Sequence, residues 1–402
     1  MVPSTKKSVE KNSTPPRRVA VLVETSTTWG RAVLRGINSW RLGHTPWEIF
    51  VEARGIEEHL RVPPGWRGDG IIARIASPQM ASELRALKLP VVNVSAIEIP
   101  EAKFPRVCTD FNSSAQLAAK YFWERGFRHF GYFGLIGLDY VKRHREVFAA
   151  TVKKSGGTFN WLGVRPMAGT EPDWRLDLAS LGEWLKQQQR PFAVLCWNAS
   201  SAREIVFACR EVGLPVPEEV AVLSQADDEA LCETALVPIS GISVSGQGIG
   251  YRAAEMLDTL MRGSRLKQTS FLIAPHGIVT RQSTDTLAVA DKAVAKALDY
   301  LRQNAHRPVK VSELCGPAGI SRRVLEQRFV EFLRRTPAEE IRRAHLDRAR
   351  QLLVETDAPI VDVAELSGFG SQAYFSEAFR RQFQTTPFAY RRKHRVATRH
   401  FH

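Results

Sequence analysis

A self-match within the last quarter of the chain restricts its fold more than any other feature. Ser321, Leu325, Phe329, Leu333, Thr336 and Pro337 return fifty residues later as Ser371, Phe375, Phe379, Phe383, Thr386 and Pro387. Each copy opens on serine, whose hydroxyl accepts from free N–H groups at a helix start. Apolar residues then recur every four positions, which puts them on one helical face. Thr-Pro closes each copy, because proline stops one helix and is tolerated in the first turn of the next. A shorter amphipathic segment precedes each serine (309–315 and 360–366), followed by a glycine-bearing turn (316–319 and 368–370). Helix, glycine turn and serine-capped helix make a helix-turn-helix. A long helix beginning near Pro337 joins the two units, and a bundle whose repeat serves packing alone is the weaker account.

With the apolar face inward, the second helix of the first unit presents Arg322, Arg323, Glu326 and Gln327. The second unit presents Gln372, Ala373, Ser376 and Glu377. These side chains suit base edges: Arg reads guanine, Gln adenine, Glu cytosine, and Ala or an aromatic ring the thymine methyl. The caps Ser321 and Ser371 and the aromatic Tyr374 complete the candidate DNA-reading set. Arg342 and Arg343 of the joining helix and Arg391, Arg392 and Arg395 of the tail are candidate phosphate contacts, which position without specifying sequence.

The charge agrees. Of the net +14, residues 291–402 hold 21 Lys/Arg against 13 Asp/Glu, and residues 1–18 hold five against one. A near-neutral body with a basic end points that end at a polyanion such as promoter DNA.

Residues 18–280 alternate short Val- and Ile-rich runs with helical stretches. The strand candidates are 19–23, 48–52, 70–74, 91–94, 130–133, 192–196, 220–224 and 241–244; helices are expected at 113–125, 177–188, 201–212 and 249–261. Such alternation implies parallel βαβ units with ligands at the carboxyl ends of the strands. Eight strands exceed one compact sheet, so the expected fold is an α/β two-lobed sensor plus an all-α domain. The expected boundaries are a flexible basic arm (1–17), a ligand-sensing and dimerisation domain (18–280), a linker (281–290) and the DNA-binding domain (291–402).

Several classes drop out. The longest apolar run near the start, 19–23, is too short to span a bilayer or serve as a secretory signal. Five scattered cysteines, never spaced Cys-x-x-Cys, exclude a zinc ribbon and disfavour a disulfide framework. The expectation is a soluble, cytoplasmic chain. Residues 246–250 (GQGIG) imitate a phosphate loop, but the third glycine of G-x-G-x-x-G falls on Tyr251. No nucleophile elbow, zincin or P-loop pattern is present, so no enzyme activity, metal or cofactor is expected. His144 and His345 read as surface residues of basic helices.

The helical region resembles the AraC family of transcription regulators. Gly319-Ile320-Ser321, Ile341-Arg342-Arg343, Ala349-Arg350-x-Leu352-Leu353, Gly368-Phe369, Tyr374-Phe375-Ser376, Phe379-Arg380-Arg381 and Thr386-Pro387-x-x-Tyr390-Arg391 stand in family order. The family usually has glycine where this chain has Arg334 and Gln384, so a left-handed residue there would cost roughly 1 kcal/mol each. The earlier region resembles LacI-type sugar sensors related to periplasmic binding proteins, through residues 18–26, 68–74 and 213–218. A LacI-type sensor before an AraC-type domain is the arrangement of the xylose-operon regulators, which this chain resembles end to end.

That resemblance implies a dimeric activator working with RNA polymerase, with a pentose such as D-xylose in the sensor cleft. The candidate ligand residues, all near expected strand ends, are Glu24, Trp29, Arg31, Arg74, Arg143, Asn198, Asp227 and Asp228. Each has a plainer alternative: Arg74 as a strand cap or ion-pair partner, Trp29 as core or dimer contact, Asp227-Asp228 as turn formers. Relatives usually carry Asp where this chain has Ala199 and Ala226, and alanine cannot accept a sugar hydroxyl. The rival readings are therefore an AraC-type regulator with a ligand-blind sensor, and a sugar-binding protein whose helical domain mediates protein contacts.

Overall fold

The computed structural model describes residues 16–44, 46–52, 60–63, 65–100, 103–164, 174–285, 291–333 and 335–394. In chain order the α/β part begins β1 (Arg17–Leu22), α1 (Thr28–Gly43), β2 (Trp47–Val51), β3 (Gly70–Ala73), α2 (Pro78–Ala86), β4 (Val91–Asn93), β5 (Arg106–Thr109) and α3 (Phe111–Glu124). Next come β6 (His129–Leu135), α4 (Asp139–Lys154), β7 (Thr158–Val164), α5 (Trp174–Lys186), β8 (Phe192–Cys196), α6 (Ala199–Glu211), β9 (Val220–Ser224) and α7 (Glu229–Glu233). It closes with β10 (Ser240–Ser243), α8 (Gly246–Met261), β11 (Ser270–Ile273), β12 (Gly277–Val279) and a 3-10 turn at Gln282–Thr284.

The chain divides into two compact units, the first made of residues up to 114 with 137–144 and 243–275. Its six-stranded sheet has the order β11-β5-β4-β3-β1-β2, with neighbours parallel. Successive side chains of a strand point to opposite faces. Val19, Val21 and Val23 accordingly enter a core with Ile37 and Trp40 of α1 and Leu257 of α8. Ala20 and Leu22 enter another with Met80 and Leu84 of α2. Burial on both faces is why β1 reads as an unbroken apolar run. Helices α1 and α8 meet closely: a Cβ on Gly36 would strike the Gln247 carbonyl, and one on Gly250 the Val33 carbonyl. Gly246 and Gly250 therefore line a helix seam.

The second unit contains the other sheet, order β12-β10-β9-β8-β6-β7, and everything after residue 275. Val194, Cys196, Val220 and Val222 pack against Leu185 of α5 and Ile205 of α6. All eight expected strands are present. Four more, β5, β7, β11 and β12, are present; β7, β11 and β12 lie at sheet edges and hold only exposed and half-buried residues.

Seven helices follow: α9 (Lys292–Asn304), α10 (Val311–Ala318), α11 (Arg322–Leu333), α12 (Pro337–Glu355), α13 (Ile360–Leu366), α14 (Gln372–Phe383) and α15 (Pro387–His394). The repeat residues Leu325, Phe329 and Leu333 fill a core with Leu298, Leu314 and Ile341. Phe375 and Phe379 fill a second core with Leu346, Leu353 and Val363. Helix α12 therefore contributes to both. Thr336 begins it with a capping box, accepting from Glu339 N while Glu339 accepts from Thr336 N.

Two expected boundaries move. Arg17, placed in the arm, already pairs in β1 and lies 3.6 Å from Asp258; residues 1–15 are outside the described residues. The linker's first residues belong to the second unit: Ser283 is fully buried, donating to the Val222 carbonyl at 2.6 Å, and Thr284 lies 2.6 Å from Ser240 Oγ. Residues 286–290 are outside the described residues. Among the described residues no helix is long and apolar enough to cross a membrane.

Candidate nucleic-acid interface and ligand cluster

Helices α11 and α14 are the second helices of the two units. Gly319 and Gly368, at φ +66° and +78°, make the turns before them. At Gly368 a side chain would collide with His345 and with the Arg307 carbonyl. Ser371 caps α14 by accepting from Tyr374 N at 3.3 Å. Ser321 accepts Leu325 N at 2.9 Å through its carbonyl.

Burial of Leu325, Phe329, Phe375 and Phe379 turns the opposite faces outward. Ser321, Arg322, Arg323 and Gln327 are exposed, as are Ser371, Gln372, Ala373, Tyr374 and Glu377; Glu326 and Ser376 are half-buried. Arg322 Nε donates to Glu326 at 2.9 Å, one helical turn away. Arg380 and Arg381, one turn beyond Ser376 and Glu377, extend the α14 face with two exposed cations. Their four-residue offset was the signal that could have added them to the candidate set.

The phosphate candidates separate. Arg342 and Arg392 are exposed. Arg391 is half-buried, with Nε and Nη2 lacking a hydrogen-bond partner among the described residues. Arg395 is outside them. Arg343 is a correction: its guanidinium is committed to Glu340 at 2.6 Å and Asp347 at 3.2 Å. Burial opposes its charge, but Glu340 and Asp347 outweigh that and raise its pKa. The two histidines are also corrections. His144 is fully buried and His345 is 5% exposed. Burial lowers the His345 pKa, opposed by the nearby Arg307 backbone, and the ring meets Phe369 edge-on beneath α14.

The glycine substitution in α14 is visible in the backbone. Gln384 is the C-cap at φ +54°, the left-handed region that favours glycine; Arg334 is outside the described residues. Gln384→Gly should stabilise the helical domain by about 1 kcal/mol, read as a higher urea midpoint at unchanged slope. A lower midpoint would show that the Gln384 side chain, which donates to the Arg381 carbonyl at 3.1 Å, contributes more than the strain costs.

In the first unit, Glu24 and Arg74 follow the carboxyl ends of neighbouring strands β1 and β3. Glu24 is buried and accepts from Arg74 Nη1 at 2.5 Å. Arg74 also lies beside Tyr140, whose phenol pKa burial raises and Arg74 partly restores. Phe111 packs against Tyr140 at 5.7 Å between centroids, the rings tilted by 40°. Tyr140 escaped the sequence reading, although its place just beyond the end of β6 was a usable sign. The other candidates of this unit make different contacts. Arg31 donates to the Thr25 and Ser26 carbonyls at 3.0 and 2.8 Å, tying down the loop after β1. Trp29 packs on the α1–α8 core. Arg143 forms a forked pair with Glu98, both contacts 3.1 Å, and holds that carboxyl below its usual range.

In the second unit each of the three candidates has a partner within the protein. Asn198 Oδ1 caps α6, accepting from Ser201 N at 2.8 Å, and Asp228 caps α7. Asp227 is ion-paired with Arg281 at 2.6 Å, both side chains under 20% exposed. Burial opposes the Arg281 charge, but the hydrogen bond to Asp227 and the negative charges around the guanidinium together outweigh it and raise the pKa.

Three domain families match this chain in succession. They are the XylR N-terminal domain over residues 18–111, a periplasmic binding protein-like domain over 119–284 and a helix-turn-helix domain over 314–393. The xylose operon regulatory protein of Escherichia coli (strain K12) is 26% identical over 388 residues, covering 94% of this chain and 97% of that protein. Its counterpart in Haemophilus influenzae is 28% identical over 383 residues, covering 93% and 98%. A solved structure of the "xylose-binding transcription activator xylR" is similar at TM-score 0.60 and 26% identity, covering 95% of this chain and 100% of that one. The chain is a XylR-like transcription regulator. It is a DNA-binding protein in which a periplasmic-binding-protein-like α/β sensor precedes an AraC-type helix-turn-helix domain.

Proposed function

We propose that this regulator activates transcription in response to a sugar, D-xylose or a related pentose, held at the Glu24–Arg74–Tyr140 cluster. The observation that carries the reading is that cluster itself: a buried carboxylate, a guanidinium and a phenol converge beyond parallel strand ends, where α/β folds bind ligands. Phe111 beside Tyr140 supplies the aromatic surface that sugar sites combine with such groups. On the DNA side, α11 would read one major-groove segment through Arg322, Arg323, Glu326 and Gln327, and α14 the next. Arg342, Arg391 and Arg392 would hold phosphates. The regulator would act in the cytoplasm as a homodimer that recruits RNA polymerase.

A thermal-shift panel of pentoses and hexoses on the full chain tests the ligand. A sugar at 100 times its dissociation constant should add about 2.7 kcal/mol of stability. A shift with another sugar keeps the mechanism and changes the effector; no shift with any removes the sugar response. The second outcome is the ligand-blind reading, favoured by one observation: Asn198, Asp227 and Asp228 are already occupied within their own unit. On the DNA side Arg323→Ala should cost about 1–3 kcal/mol of affinity and relax preference at one base pair. Arg342→Ala should instead weaken all duplexes alike and reduce the slope of log affinity against log salt by about 0.9. Unchanged affinity in the Arg323 variant would remove that residue from base readout.

A further inference from the structure

Helix α3 has a functional neighbour at each end. At its first residue, Phe111 packs on Tyr140 and meets His144 edge-on at 5.9 Å. Asp110 caps this end, accepting from Ser113 N at 3.0 Å and Ser113 Oγ at 2.6 Å. At its last residue, the Glu124 carbonyl accepts from Arg335 Nη2 at 2.9 Å. Arg335 belongs to the turn between α11 and α12, inside the helix-turn-helix domain. A guanidinium there satisfies a carbonyl that the helix leaves free and sits on the negative end of its dipole. With 14 residues, α3 is a rod about 20 Å long at 1.5 Å per residue.

Both sides of this contact are built up. Arg335 Nη1 lies 3.4 Å from Glu340, whose side chain is 3% exposed and is shared with Arg343 at 2.6 Å. On α3, the Tyr121 hydroxyl lies 2.7 Å from Thr284 and 3.0 Å from Thr280. Arg125 covers the Tyr121 ring at 3.5 Å and donates to the Thr284 carbonyl at 3.4 Å. The last turn of α3 thus holds both the segment that ends the α/β part and the start of α12. Because α12 supplies residues to both helix-turn-helix cores, moving its first turn moves both units.

We propose that α3 is the lever joining the sensor to the DNA-binding domain, with Arg335 and Glu340 as the coupling residues. Its effector half rests on the sugar reading above; its DNA half does not. A ligand against Tyr140 and Phe111 displaces the rod, the Glu124 carbonyl shifts under Arg335, and the Arg335–Glu340–Arg343 set re-pairs with α12 in a new position. Reciprocity requires that DNA held by the two units act back on α3.

The test uses the full chain and a duplex it selects from a random pool. Backbone hydrogen exchange over residues 111–124 should change when the duplex binds. Arg335→Met keeps the aliphatic stem but removes the fork; it should abolish that change, and Arg335→Lys should restore part of it. In the sugar arm, saturating D-xylose should alter wild-type duplex affinity by about 5–150-fold. The methionine variant should bind D-xylose as wild type does while that factor falls to within about twofold of one. If Arg335→Met does not fold, Glu340→Gln should show the same loss. Unchanged α3 exchange in the wild type, or a wild-type response in the variants, overturns the lever. Failure of D-xylose to bind overturns only the effector reading, and the exchange arm still decides the lever.

Discussion

Phe379→Ala should destabilise the helical domain by about 3–5 kcal/mol, the range for emptying a buried phenylalanine site. Phe379 is fully buried, with Phe383, Tyr390 and Phe375 rings 4.5, 5.4 and 5.5 Å away. Rigid rings from three sides collapse poorly into a void, so most of the cavity would persist. A loss this large approaches the entire stability of a domain of about 100 residues. Duplex binding should therefore fall with folding, although Phe379 touches no base. Urea unfolding of the full chain, followed through the helical signal, measures the cost. Phe388→Ala is the control: that ring is 65% exposed and its loss should stay within about 0.5 kcal/mol. Equal, small costs for the two variants would show that the repeat face is not packed as described.

The second large effect falls on the sensor. Asp227→Ala leaves the Arg281 guanidinium with a carbonyl, Ile239 O at 3.0 Å, and the more distant Glu233 at 3.6 Å. Stranding one partner of a buried pair costs about 3–5 kcal/mol, and residual water access places this case near 3. Removing Arg281 as well, in Asp227→Ala with Arg281→Met, should recover most of the loss, because the penalty is an unpaired charge rather than a lost attraction. Asp228→Ala, which removes only a helix cap, should cost about 1 kcal/mol. If Asp227→Ala proves neutral in stability and abolishes sugar binding instead, the carboxylate serves the ligand and the ion pair is incidental.

The helix-turn-helix units were legible because their signal is local. Serine caps, four-residue apolar spacing and glycine turns each act within a dozen residues, and α13 runs over Ile360–Leu366 as its periodicity implies. The α/β part was legible wherever a strand is buried on both faces, as in β1 and β8. It was not where an edge strand such as β7 mixes exposed and half-buried residues. Glu24 and Arg74 could be placed beyond strand ends because those ends can be located from the runs before them. His144 and His345 were misplaced, and the role of Asp227 left open, for one shared reason. A titratable side chain carries no local mark of whether it faces water, a ligand or a partner far along the chain.

The sequence by itself determined two helix-turn-helix units with outward polar faces, a doubly covered parallel α/β fold and a basic C-terminal end. These follow from periodicity, capping and charge, which neighbouring residues settle among themselves. Only the tertiary structure decided that Asp227 pairs with Arg281, 54 positions away. It alone brought Arg335 onto the end of α3 across 211 positions. Contacts of that range depend on how completed elements pack, and the packing places a charge beside its partner only after every element has taken its position.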